Sequence, residues 1–322
     1  MMLTETQLLA LLDKAEKAFS TSDLASGGKM LPEAADRFLK TAIDVSKILS
    51  VARVLPMKSD VRYIDHIAFA TRIMQAATEG TPPVSTSKPT TARKTLTAKE
   101  ILAAVDVTYS SLEDNIEGAN FANTLLDLIA TRASADIEEL GLYSTAVQDP
   151  VVDAYLEALN HRGWLTMTNA LDGVGEINYA SAETLPSVVF KALLKKVPSK
   201  YLGDLSKWRF YCSFAMERRY RDELAGRATA AGDRALLEDV PVYYQGIPVV
   251  WVPKIATSGA NVTDCMFAHP QNLIVGFKRD LDMESERKPR SRLVEYTITA
   301  RMDTALEEYA AHAIAKNVKI PA

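Results

Sequence analysis

Hydrophobic positions along this chain follow two periods, and the sharpest switch between them falls between Ile101 and Leu140. Ile101, Ala103, Val105, Val107 and Tyr109 recur at every second residue, the spacing of a strand with one buried face. From Phe121 the period becomes helical, with Phe121, Leu125, Leu128, Ile129, Ala133, Ile137 and Leu140 on one stripe. Ser111 with Asp114, and then Asn120, offer oxygens to the free N–H groups of helix starts, while Gly118 separates a short turn from the long helix. The pattern predicts a strand leading into a helix about 30 Å long at the usual helical rise.

Other segments read as follows. Thr4 to Phe19 is amphipathic, with a Thr4…Gln7 capping box, and the small polar run Ser20–Lys29 is a hinge. Pro32 suits the first turn of a second helix that buries Phe38, Leu39, Ala42, Ile43 and Leu49. Val61, Tyr63, Ile67 and Phe69 alternate with Arg62, Ile64, His66 and Ala68, as in a two-faced strand. Gly80–Arg93 is rich in proline and hydroxyls and too poor in apolar surface to build a core, so it reads as the tip of a long hairpin. Ile101–Tyr109 is taken as that hairpin's returning strand. A two-stranded hairpin alone is marginal in water, so the tip is either disordered or laid across another subunit.

Asp149-Pro150 opens a short helix through Leu159, and Leu165–Thr184 reads as loop with one short strand. Then come a helix at Leu185–Lys196, a strand at Trp208–Phe214, a charged helix at Ala215–Arg227, and strand–turn–strand at Pro241–Pro253 around Gln245-Gly246. Cys265–Ala268 and Leu273–Lys278 are further short strands. Val294, Tyr296, Ile298, Ala300 and Met302 alternate with Glu295, Thr297, Thr299 and Arg301. A basic loop, Arg287–Arg292, precedes this strand as a solvated turn or an intersubunit salt-bridge site, and a helix at Thr304–Lys316 ends the pattern. The irregular interleaving makes the chain α+β.

Charge and composition narrow the function. A net charge of −4 gives no general attraction for nucleic acid and argues against a DNA reader. No apolar run approaches the ~20 residues that span a bilayer, and an acidic start at Glu5 and Asp13 is unlike a signal peptide. Cys212 and Cys265 stand far apart among apolar neighbours, as buried free thiols do.

Candidate chemistry is sparse. Gly27-Gly28-Lys29 lacks the first glycine and the Ser/Thr of a phosphate loop, and Gly173-Val174-Gly175 lacks the third glycine of a dinucleotide site. His66, His161, His269 and His312 form no metal-ligand spacing with the two cysteines. No serine elbow is present. Asp65-His66 is an acid–imidazole pair on the least supported strand, and Glu138-Glu139 and Glu307-Glu308 put neighbouring carboxylates on different faces. The sequence offers no catalytic residue, metal ligand or cofactor site.

Four stretches, in order, carry a resemblance: Gly27-Gly28-Lys29-Met30-Leu31-Pro32, Val54-Leu55-Pro56-Met57, Leu112-Glu113-Asp114-Asn115-Ile116-Glu117 and Tyr244-Gln245-Gly246-Ile247-Pro248-Val249. In this sequence of textures the chain resembles tailed-bacteriophage major capsid proteins, whose fold is shared with encapsulins and the herpesvirus capsid floor. The resemblance implies an α+β phage major capsid fold. Its parts would be an N-terminal arm (1–53), an extended-loop hairpin (54–110), a peripheral domain with a long spine helix (111–184) and an axial domain (185–283). A peripheral-domain return strand with the basic loop (284–303) and an axial-domain C-terminal helix (304–322) would complete it.

It further implies a non-enzymatic shell subunit that assembles in the host cytoplasm as pentamers and hexamers and encloses double-stranded DNA contacted without sequence preference. Separate scaffold, portal and decoration proteins are the expected partners, the scaffold because only a short segment precedes the arm helix. Lys88, Arg93 and Lys94 on the hairpin, and Arg287, Lys288, Arg290 and Arg292 near the local threefold contacts, are the subunit-contact candidates. Some relatives crosslink a hairpin lysine to an asparagine near the threefold; Glu284–Met302 holds no asparagine, so no such crosslink is expected. Two other readings are an encapsulin-like compartment and a cytosolic α+β enzyme with an insertion at Gly80–Arg93.

Overall fold

The fold was taken from a computed structural model, which describes residues 46–68, 74, 89–109, 121–143, 163–167, 173–226, 241–255, 257–258 and 260–321. The expected helices at Thr4–Phe19, Pro32–Leu49 (up to residue 45) and Asp149–Leu159, and the Gly80–Arg93 tip up to residue 88, lie outside these residues.

Twelve described strands form three sheets. A four-stranded sheet has the order β1-β10-β11-β4, made by β1 (Arg53–Pro56), β10 (Leu273–Lys288), β11 (Leu293–Leu306) and β4 (Lys99–Thr108). β10 and β11 form a long antiparallel hairpin, with β1 parallel to the base of β10 and β4 antiparallel to the outer part of β11. The alternation read from the sequence decides which face is covered: Val294, Tyr296, Ile298, Ala300 and Met302 are all buried. Register shifts after Phe277 and Arg279 mark bulges that bend the hairpin.

A six-stranded sheet has the order β5-β12-β9-β6-β8-β7, from β5 (Gly175–Asn178), β6 (Arg209–Cys212), β7 (Val242–Tyr244), β8 (Ile247–Trp251), β9 (Val262–Ala268) and β12 (His312–Lys319). Gln245 and Gly246, both at positive φ, make the tight turn expected between β7 and β8. Two helices, α2 (Pro186–Lys196) and α3 (Phe214–Ala225), pack on this sheet around Phe190, whose ring centroid lies 4.8 Å from Phe210 and 5.2 Å from Tyr220. Ser213 caps α3 by accepting a hydrogen bond from the Met216 N–H. Cys212 and Cys265 are free, fully buried and opposite one another on β6 and β9, and burial pushes both thiols well up.

Two sequence expectations are corrected. The strand β2 (Val61–Ala68) pairs with β3 (Thr90–Thr97), not with Ile101–Tyr109. The threonine-rich TTARKTLT suits a strand, and the register sets Asp65 opposite Arg93. The expected terminal helix at Thr304–Lys316 is instead the end of β11, one turn at Tyr309–Ala311, and β12. Alanine favours helices locally, but Ala313, Ile314 and Ala315 are buried on both faces between β5 and β9, and that burial decides the outcome.

The long helix α1 (Phe121–Tyr143) forms as expected, running on to Tyr143 past the Leu140 end of the predicted stripe. It places Ile129, Ile137 and Leu142 inward and leaves Leu128 exposed. Its C-terminal end is stitched to the fold by Gly163–Met167. The Trp164 and Leu165 N–H groups donate to the carbonyls of Gly141 and Leu142, each at 2.8 Å, satisfying groups that a helix end leaves free. The fully buried Trp164 donates its indole N–H to Ala305 O at 3.2 Å, and its own carbonyl lies 3.1 Å from His312 Nε2. Helix, four-stranded sheet and six-stranded sheet thus meet at one short segment.

A Cβ at Gly163 would lie 2.4 Å from Leu142 O, a backbone atom that cannot move aside. Gly163→Ala is therefore expected to destabilise the protein by about 2 kcal/mol or more, read as a lowered thermal midpoint; an unchanged midpoint would contradict this packing. Burial lowers the His312 pKa from 6.5 to about 4. Between these values the unfolded chain binds a proton that the folded imidazole refuses, so this stabilisation is complete above the unfolded pKa. It is lost as pH falls from 6.5 towards 4, by about 3 kcal/mol in all. His312→Gln should flatten that acid slope in urea midpoints measured against pH; an unaltered slope would refute the assignment.

Candidate subunit-contact surfaces

The hairpin β2–β3 joins the rest of the chain at its base. Leu96 is fully buried against Met57, Ile274 and Ala305, with Ile64 and Leu55 beside them. Polar contacts surround this cluster. The Thr97 N–H donates to Asp303 Oδ2 at 2.7 Å, and the Ala98 N–H donates to Asp60 O at 2.8 Å. Asp60 also pairs with Lys278, and with Arg301 at 3.4 Å, while Arg301 reaches Glu100 at 2.9 Å. The hydrogen bond from Lys278 is the main reason that the Asp60 carboxyl is held below the usual carboxylate range.

On its outward face the hairpin carries an exposed row, Val61, Tyr63 and Asp65, starting at the base. Arg93 donates to Asp65 at 2.7 Å and lies 4.7 Å from the Tyr63 ring centroid, and Lys94 Nζ lies 3.4 Å from that of Tyr309. Two of the three basic hairpin candidates therefore already have partners in their own chain. Lys88 lies outside the described residues.

The other four candidates lie at the β10–β11 end. The β10 strand extends to Lys288, so the basic loop is a tight turn, with Ser291 N–H donating to Lys288 O at 3.1 Å and Arg292 at φ 50°. Arg287 lies 5.7 Å from the Tyr109 ring centroid, and Lys288 pairs with Glu295. Arg290 and Arg292 are exposed and form no ion pair among the described residues.

A third junction was not foreseen from sequence. The nearly fully buried Glu138 accepts a hydrogen bond from Ile48 N–H at 3.1 Å, fixing the turn before β1 against α1, and burial pushes its pKa up. Lys47 Nζ lies 3.0 Å from the Trp251 ring centroid, and Glu139 pairs with Lys254 at 2.6 Å. The two carboxylates do occupy different faces. The sequence signal was an acid placed next to Ile137 of the apolar stripe. Among the described residues no group of three or more His, Cys, Asp or Glu could hold a metal ion, and no helix is long and apolar enough to cross a membrane.

The described parts are a long bent hairpin, a long helix and a six-stranded sheet covered by two helices. The family model for the phage capsid family matches residues 27–317. A prophage capsid protein of Bacillus subtilis (strain 168), YqbE, is 34% identical over 318 residues, covering 96% of this chain and 97% of that one. The chain belongs to the phage capsid family, as a structural major capsid protein of a tailed phage or prophage and not an enzyme.

Solved structures share the fold. The satellite phage P4 procapsid that includes the size determination protein matches at TM-score 0.67 and 14% identity, over 99% of both chains. The capsid of an empty GTA particle computed with C5 symmetry matches at 0.59 and 17%, over 85% of this chain and 90% of that one. Microbacterium phage Oxtober96 matches at 0.59 and 14%, over 86% and 91%.

Asp60→Ala should leave the thermal midpoint nearly unchanged, because its ion pairs are solvent-exposed. It should nevertheless speed hydrogen exchange at Thr97 and Ala98, whose N–H groups lie at the hairpin base. Exchange rates equal to the parent's would show that the ion-pair cluster does not hold the hairpin.

Proposed function

We propose that the protein assembles as pentamers and hexamers into the icosahedral head, enclosing packaged double-stranded DNA. The hairpin carries this reading. Its base is packed and hydrogen-bonded, yet its outward row of Val61, Tyr63 and Asp65 is exposed, as suits an element whose outer part is covered by another copy. In this reading residues 1–53 form the arm, 54–110 the extended loop, and α1 the spine helix of the peripheral domain. The six-stranded sheet with α2 and α3 forms the axial domain, with β12 taking the place assigned to a terminal helix.

A net charge of −4 supports loose, sequence-independent contact with DNA rather than tight binding. A separate scaffold, a portal and decoration proteins are the partners of such a shell, with assembly in the host cytoplasm and residence in the virion. Negative-stain electron microscopy with mass photometry tests the proposal on protein expressed with its neighbouring genes. Rings of five or six and closed shells are expected; a homogeneous monomer or dimer would overturn it.

A further inference from the structure

Three neighbouring strands carry acids at the same level of the four-stranded sheet. Glu286 on β10 stands opposite Glu295 on β11, and Glu295 stands opposite Asp106 on β4. Directly opposed residues share a face. Val294 and Tyr296 flank Glu295 and are buried, so the acidic row lies on the other, outward face, where Glu286 and Asp106 are exposed. Like charges in direct opposition disfavour the isolated sheet. Lys288 answers them in part: it pairs with Glu295 and feels Glu286 and Asp106, and its pKa is raised by these contacts. Arg287 cannot help, because it is opposite the buried Val294 and lies against Tyr109. Among the described residues, three carboxylates thus face a single ammonium.

The matching charge stands at the turn of the same hairpin. Arg290 and Arg292 are exposed and without an ion pair among the described residues. The turn that carries them is held by Ser291 N–H to Lys288 O, by Arg292 N–H to Pro289 O at 3.3 Å, and by Tyr109 N–H to Arg292 O at 3.0 Å. Two guanidiniums are therefore presented on a fixed backbone, and guanidinium forks bind carboxylates in paired hydrogen bonds.

We infer that the Arg290/Arg292 turn of one copy docks on the Asp106–Glu295–Glu286 row of a second copy. The inference rests on the shell reading and names the residues of one contact within it. Its occupant is argued from charge: among the described residues the row lacks two cations, and the turn offers two.

Charge reversal tests it in particles separated on sucrose gradients. Arg290→Glu with Arg292→Glu, and separately Asp106→Lys with Glu286→Lys, should each lower the assembled fraction by about tenfold or more, and all four changes in one chain should restore most of it. Arg292→Gly guards against misfolding, since glycine adopts the positive φ without strain. It should leave the thermal midpoint equal or higher while still lowering assembly. If the parent forms shells and the fourfold variant stays unassembled, or if either reversal assembles normally, this contact is wrong and the shell reading stands. A parent that forms no shells or rings overturns both.

Discussion

The long antiparallel ladder between β10 and β11, bent by its bulges, is the constraint on which the other parts depend. Its base is threaded through the core, where Leu273, Ile274 and Val275 are fully buried, and its outer part carries charge. β1 is fixed in parallel to that base, β4 lines the outer half of β11, and the chain passes from β11 through one turn into β12 of the other sheet. Loss of register in this ladder would move the buried row from Val294 to Met302 to the wrong face and separate both sheets at once.

Around that beam the protein divides into parts that are complete and parts that are not. The six-stranded sheet has its own aromatic core and covering helices. The hairpin β2–β3 has a packed base, with Asp60, Arg301 and Asp303 fastening it to the ladder, and an exposed outer row. Opposed acids and uncompensated arginines at the far end of β10–β11 have the same character. An isolated domain gains little from such features, whereas a subunit with neighbours on several sides can use them. Membership of the phage capsid family agrees with that division.

Period-two alternation made Val294–Met302 of β11 legible, because its apolar positions are buried and its polar ones are less so. Helix α1, the β7–β8 turn and the buried thiols were equally plain. Two errors share a cause: local propensity was weighed without its tertiary setting. Thr90–Arg93 was placed in the hairpin tip because its partner strand lies well back in the chain at Val61–Ala68, and long-range pairing leaves little local trace. His312–Lys316 looked helical because alanine is ambiguous until its neighbours β5 and β9 are known. The basic cluster was seen as one unit, but strand alternation sends Arg287 and Lys288 to opposite faces, and the turn separates Arg290 and Arg292 from both. Glu138 could not be assigned a role from sequence, because its partner is a backbone N–H ninety residues away.

Hydrogen–deuterium exchange, measured on the unassembled subunit and on assembled particles, is the most direct test that the hairpin is completed by another copy. Amides of Leu273–Phe277 and Leu293–Leu306 should exchange slowly in both states, because the ladder belongs to the subunit itself. Those of Val61–Ala68 and Thr90–Thr97 should exchange at least about tenfold more slowly in particles than in the subunit. Hairpin amides equally protected in both states would contradict the account.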